Sequence, residues 1–115
     1  MRTEHTEQVI VVNRVRQVYP GVIVFAIPNG GRRELREAAR LKAEGVLAGV
    51  PDLFIARALS GYHGLFVEMK RAKGGSVSSH QAKLIERLRD EGYRVEVCRG
   101  ADAAWSKIVD YLGEA

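Results

Sequence analysis

Hydrophobic and polar positions follow two different periods along this chain, and each change of period marks an element. From Thr3 to Tyr19 the apolar residues Val11, Val12, Val15, Val18 and Tyr19 recur at helical spacing, on one face. Valine is a weak helix former, so packing has to hold this segment. Pro20-Gly21 closes it, and Val22-Ile23-Val24-Phe25-Ala26-Ile27 reads as a buried strand ended by the turn Pro28-Asn29-Gly30-Gly31. Glu34 to Glu44, rich in Ala, Leu, Arg, Lys and Glu, reads as a helix with Gly45 at its end. Two short apolar runs follow, Leu53-Phe54-Ile55-Ala56 and Gly64-Leu65-Phe66-Val67. The turn-forming pair Ser60-Gly61 lies between them, and the pattern predicts an antiparallel hairpin.

Beyond the hairpin, Ser78 with Gln81 has the spacing of a capping box, and Leu84, Ile85 and Leu88 give the buried stripe of the helix it opens. That helix ends near Glu91-Gly92. Tyr93 to Arg99 alternates apolar and polar residues as a strand does, and Ala103 to Leu112 predicts a last helix, with Trp105, Ile108, Val109 and Leu112 against the sheet. The order is helix, strand, helix, strand, strand, helix, strand, helix. It predicts an α/β fold with a central mixed β-sheet of about four strands flanked by helices.

Composition narrows this picture without changing it. A chain of 115 residues suits one domain, 1–115, and 46% hydrophobic with 28% charged residues is the balance of a folded soluble protein. No stretch is apolar over the length of a membrane span, and Met1-Arg2-Thr3-Glu4-His5 lacks an apolar signal core, so the expected location is cytoplasmic. The single cysteine, Cys98, excludes an internal disulfide and a cysteine zinc site, and its strand-like surroundings place it in the core. A net charge of +4 agrees with a polyanionic partner and equally with a solvated basic surface.

The candidate chemistry sits in the hairpin. Pairing the two runs brings Asp52 and Glu68 together, and strand geometry puts Glu68 and Lys70 on one face with Met69 on the other. Two adjacent carboxylates are costly unless a cation lies between them, and hard oxygen ligands suit Mg²⁺ or Mn²⁺. A lysine beside such an ion can hold or deprotonate a water, or neutralise charge on a phosphate. Gly49 and Pro51 are placed to fix the backbone from which Asp52 emerges. Arg32 and Arg33 on one glycine-rich loop, and Arg71 and Lys73 on another, are placed to meet a phosphate backbone. His5, His63 and His80 are scattered, and no Gly-x-Ser-x-Gly elbow occurs, so neither a zinc site nor a serine hydrolase is expected.

These residues resemble the PD-(D/E)xK nuclease superfamily through Pro51-Asp52 and Glu68-x-Lys70, and its VRR-NUC branch through a wider set. That set comprises Pro28-Asn29-Gly30-Gly31, Lys42-x-Glu44-Gly45, Gly49-Val50-Pro51-Asp52-Leu53, Gly64 to Lys70, Ser79-x-Gln81 and Gly92-Tyr93. The resemblance implies a restriction-endonuclease-like fold and a DNA endonuclease using Mg²⁺ or Mn²⁺. It implies metal ligation by Asp52, Glu68 and the Met69 backbone carbonyl, with Lys70 positioning the attacking water. Relatives carry a glutamate and a following glutamine in the first helix, at the metal site. Glu4-x-x-x-Gln8 matches that pattern better, with Glu7 left open; capping at Thr3 and the helix dipole account for the same acids without any such role. Gln81 is implied as an active-site residue beside its capping role.

Stand-alone relatives resemble Holliday junction resolvases that act as homodimers in bacterial cells or phage-infected hosts, which implies a branched DNA substrate, a four-way junction, cut by a homodimer. A flap-cutting or nicking nuclease of the same chemistry, and a DNA-binding module with a vestigial site, are the alternatives. The intact Asp52, Glu68 and Lys70 weigh against the second.

Overall fold

The apolar runs pair in the order in which they occur. The computed structural model describes residues 2–28 and 34–114. Its elements are α1 (Glu4–Val18), β1 (Val24–Ala26), α2 (Leu35–Ala43), β2 (Leu53–Ile55), β3 (Leu65–Lys70), α3 (Ser79–Asp90), β4 (Arg94–Arg99) and α4 (Ala101–Leu112). They form a mixed sheet in the order β1-β2-β3-β4. β1–β2 and β2–β3 are antiparallel, the latter being the hairpin expected from the sequence, and β3–β4 is parallel. A parallel pair needs a crossover, which α3 supplies.

One sheet face carries the core. Leu53 and Ile55 of β2 and Leu65, Val67 and Met69 of β3 alternate onto it, and Val11 and Val15 of α1 and Ala104 and Ile108 of α4 close over them. Burial of the α1 valines is what holds a helix of weak formers. Cys98 lies in this core, and burial pushes its thiol up to about 11, so it stays a protonated packing residue.

Three details differ from the sequence reading. β1 is shorter than Val22–Ile27. α4 starts at Ala101 rather than Ala103, because a carboxylate remote in sequence, that of Glu7, meets its first N–H. Its buried stripe is Ala101, Ala104, Ile108 and Tyr111, which leaves Trp105 half-buried, 5.9 Å from the Tyr19 ring and under the Arg14 guanidinium.

The opposite face carries a row of rings, Phe25–Phe54–Phe66–Tyr93, with successive centroids 5.7, 4.5 and 5.2 Å apart. α3 packs on the β4 side of the sheet. The β1 side stays open, with Ile23 64% and Phe25 44% exposed. α2 packs on no other element among the described residues, and Leu35 is 90% exposed. None of the described helices is long and apolar enough to cross a membrane.

Candidate active site

The β2–β3 register explains how Asp52 reaches Glu68. Leu53 pairs with Val67, so the next position along places Asp52 opposite Glu68, and the one after it Pro51 opposite Met69. Proline has no N–H to return to the Met69 carbonyl, and the backbone ladder stops there. The Asp52 side chain takes over, since the Met69 N–H donates to Asp52 Oδ2 at 2.7 Å. The Asp52 carbonyl meanwhile accepts the Ile27 N–H at 2.8 Å, which ties the aspartate to β1 as well.

Gly49 sets the approach to Pro51. Its φ of +91° suits glycine, and a Cβ there would lie 2.8 Å from the His80 ring. His80 Nε2 is 2.9 Å from the Ala48 carbonyl, so the loop delivering Asp52 is fastened to the first turn of α3.

That first turn also delivers Gln81, and its two readings prove compatible. The capping box is present: the Gln81 N–H donates to Ser78 Oγ, and the Ser78 N–H to Gln81 Oε1. The same amide faces the carboxylates, with Nε2 donating to Glu68 Oε2 at 3.2 Å and Oε1 accepting from Lys70 Nζ at 3.4 Å. Lys70 Nζ lies 3.4 Å from Glu68 Oε2. Glu68 and Lys70 therefore share a face, as strand alternation requires.

The charges are unbalanced. Glu68 is 4% exposed, and its Oε1 is buried without a hydrogen-bond partner among the described residues. Burial first, then the neighbouring Asp52 charge, pushes its carboxyl up to about 7, against the opposing pull of Lys70. Asp52 is also raised, chiefly by burial, against the Met69 hydrogen bond. Glu4 contributes to both shifts, so its charge is felt at both carboxylates. An orphaned carboxylate oxygen beside a second raised carboxyl fits a bound divalent cation, which would satisfy both. Among the described residues no three His, Cys, Asp or Glu side chains are grouped closely enough to hold an ion by themselves, so an ion bound there would need backbone oxygen and water to complete its shell.

Glu7, left open against Glu4, points elsewhere: it is 7% exposed and accepts the Ala101 N–H. Arg71 and Lys73 stand exposed on the loop after Lys70. Arg99, which the sequence reading passed over, organises that loop by donating to the carbonyls of Gly74 and Gly75 at 2.6 and 2.9 Å. Arg32 and Arg33 lie outside the described residues.

Comparison with known proteins bears on the family and the fold. The model of the VRR-NUC domain family matches residues 4–102. A solved structure titled "VRR_NUC domain protein" superposes with a TM-score of 0.80 at 30% identity, covering 100% of this chain and 92% of that one. A second, titled "VRR_NUC domain", gives 0.62 at 21% identity over 96% of this chain and 99% of that one, which shows likeness of fold. Among curated proteins no match is found. With most of its length matched by the family model, and the Asp52, Glu68 and Lys70 set assembled on that fold, this chain belongs to the VRR-NUC nuclease family.

Proposed function

We propose that this protein is a Mg²⁺- or Mn²⁺-dependent, structure-selective DNA endonuclease, acting in the cytoplasm as a homodimeric Holliday junction resolvase. The observation that carries the metal-dependent part is the orphaned Glu68 Oε1 beside Asp52, two hard-oxygen ligands whose carboxyls are both pushed up by burial and whose charge Lys70 only partly offsets. Asp52, Glu68 and the Met69 carbonyl, which Pro51 leaves without a ladder donor, would hold the ion, and Glu4 would reach it through water. Bound there, the ion would supply Lewis-acid stabilisation of the negative charge that gathers on the phosphate and the leaving 3′ oxygen.

The chain's own groups do the positioning. Lys70 Nζ, held by Gln81 Oε1 and Glu68 Oε2, places an ammonium beside the carboxylates, where it orients the attacking water and offsets charge on the scissile phosphate. Gln81 keeps Lys70 and Glu68 in register through one rigid amide. Arg71 and Lys73, next to the site, bind flanking phosphates, and Arg32 and Arg33 are assigned the same role from sequence.

Two features support the dimer. Phe25 on the edge strand, Ile23 just before it and Leu35 on α2 are large apolar side chains exposed in one copy, among the described residues. A two-fold dimer also matches a four-way junction, which has near two-fold symmetry and needs two symmetric nicks. The test is cleavage of a labelled four-way junction, a flap and a linear duplex with Mg²⁺ or Mn²⁺. Paired nicks on the junction alone are expected; cutting of the flap or duplex instead would keep the chemistry and discard the resolvase assignment.

A further inference from the structure

A carboxylate buried one turn into a surface helix costs desolvation, and Glu7 has only specific compensation for it. Its Oε2 accepts the first N–H of α4, from Ala101, and Oε1 lies 3.5 Å from Arg2 Nε. The N-cap of α4 is Gly100, which has no side chain to offer, so Glu7 takes over the capping role from α1 and places its charge at the positive end of the α4 dipole. Glycine at position 100, with φ +87°, is what keeps this approach open, because a Cβ there would come 3.3 Å from Glu7 Oε2. The Gly100 N–H in turn donates to the Lys70 carbonyl at 3.0 Å.

These contacts join the first turn of α1 to the end of β3, beside Glu68. Glu4 lies on that first turn, on nearly the same side of the helix as Glu7, and its charge acts on both Asp52 and Glu68. The exposed Thr3 cap alone is a weak hold on a helix end, which otherwise frays. We propose that Glu7 is a positioning residue: its buried carboxylate pins the first turn of α1 to the Lys70–Gly100–Ala101 corner and so keeps the Glu4 charge within electrostatic reach of the Asp52–Glu68 pair. The inference rests on the metal-site reading of Asp52 and Glu68 and adds a residue with no place in the ligand set.

The test is a double-mutant cycle read by calorimetric titration with Mn²⁺ in the absence of DNA, with thermal melting to establish that each variant is folded. Glu7→Met fills the same volume without an acceptor and is expected to weaken Mn²⁺ binding about tenfold, the size of an outer-shell effect. Glu7→Gln, which keeps an acceptor oxygen, is expected to restore most of the affinity. In a Glu4→Ala background Glu7→Met should change Mn²⁺ affinity by less than about twofold, because its effect passes through Glu4. Unchanged Mn²⁺ affinity in folded Glu7→Met, or losses that add in full across the cycle, would overturn the proposal. So would failure of both Glu7→Met and Glu7→Ala to fold, which would make Glu7 a stability element. Absence of Mn²⁺ binding by the wild-type chain would overturn the metal-site reading itself, and this inference with it.

Discussion

Asp52 completes the ladder that Pro51 interrupts: its Oδ2 accepts the Met69 N–H at 2.7 Å, so the bond that finishes the hairpin also sets a carboxylate beside Glu68. Structure and chemistry can be separated at this residue. Asn in place of Asp52 keeps an acceptor oxygen for Met69 and removes the charge. Asp52→Asn is expected to melt within about 1 kcal/mol of wild type. Its cleavage rate should fall by more than about a hundredfold, beyond the usual outer-shell loss. Thermal melting and single-turnover cleavage on the same preparation check both.

Glu68 gives a pH dependence with a definite sign. Its carboxyl moves from an ordinary 4.5 to about 7 on folding, so the folded chain binds that proton more tightly than the unfolded chain does. The stability this contributes is present in full below the unfolded value and is lost as the pH rises through about 7. Without metal, the melting temperature should therefore fall across that window. Glu68→Gln should flatten the slope near pH 7, leaving the part that the raised Asp52 carboxyl contributes, and near pH 8 should stabilise the metal-free chain by about 1–2 kcal/mol, roughly 4–8 °C for each kcal/mol. Added Mn²⁺ should raise the melting temperature of the wild type at that pH and leave the variant unchanged, since metal binding requires the deprotonated carboxylate.

Gln81 holds a helix cap and a pair of site residues with one amide, and substitution can divide the two. Glutamate is equally at home in a capping box, so Gln81→Glu should remain folded with the Ser78 cap intact. It replaces the donor to Glu68 Oε2 with a like charge, however, and cleavage should drop by about 10- to 100-fold. Gln81→Ala should lose activity and also about 1 kcal/mol of stability through the broken cap. Kinetics beside chemical denaturation separates the two variants.

The proposed homodimer would cover the open side of the sheet. A charge at Phe25 would sit on the apolar patch and have to be desolvated in the interface. Phe25→Asp, at a position 44% exposed in the single chain, is expected to remain folded while light scattering shows a shift from twice the chain's mass to one. A wild-type chain that scatters as a monomer at all concentrations would contradict the dimer directly.

Much of this arrangement was legible in the sequence, and the rest was hidden for identifiable reasons. The hairpin, the Ser78–Gln81 cap and the Glu68–Lys70 alternation are short-range consequences of turn chemistry and strand period, so the letters carry them. The contact of Glu7 with Ala101 joins residues far apart in sequence, and no local rule points to it. For the same reason the sequence reading started α4 too late, since the group that caps it comes from α1. Trp105 was expected on the sheet because large apolar residues usually define a helix's buried face; Ala101, Ala104, Ile108 and Tyr111 are the buried positions here, and Trp105 packs against the edge of the core half-buried. Arg99 has the same letters as any surface arginine, and only the curl of the loop after Lys70 brings the Gly74 and Gly75 carbonyls to it.

Asp52, Glu68 and Lys70 are proposed to form a metal-dependent hydrolytic site. Its most direct test is single-turnover cleavage of an end-labelled four-way junction by the wild-type chain and by Lys70→Ala, with Mn²⁺ and with the metal chelated. The expected result is paired, symmetric nicks by the wild type that require Mn²⁺ and fall by at least about a hundredfold in the variant. Binding of the junction with no cleavage under any metal condition, or cleavage that survives both chelation and the loss of Lys70, would contradict it.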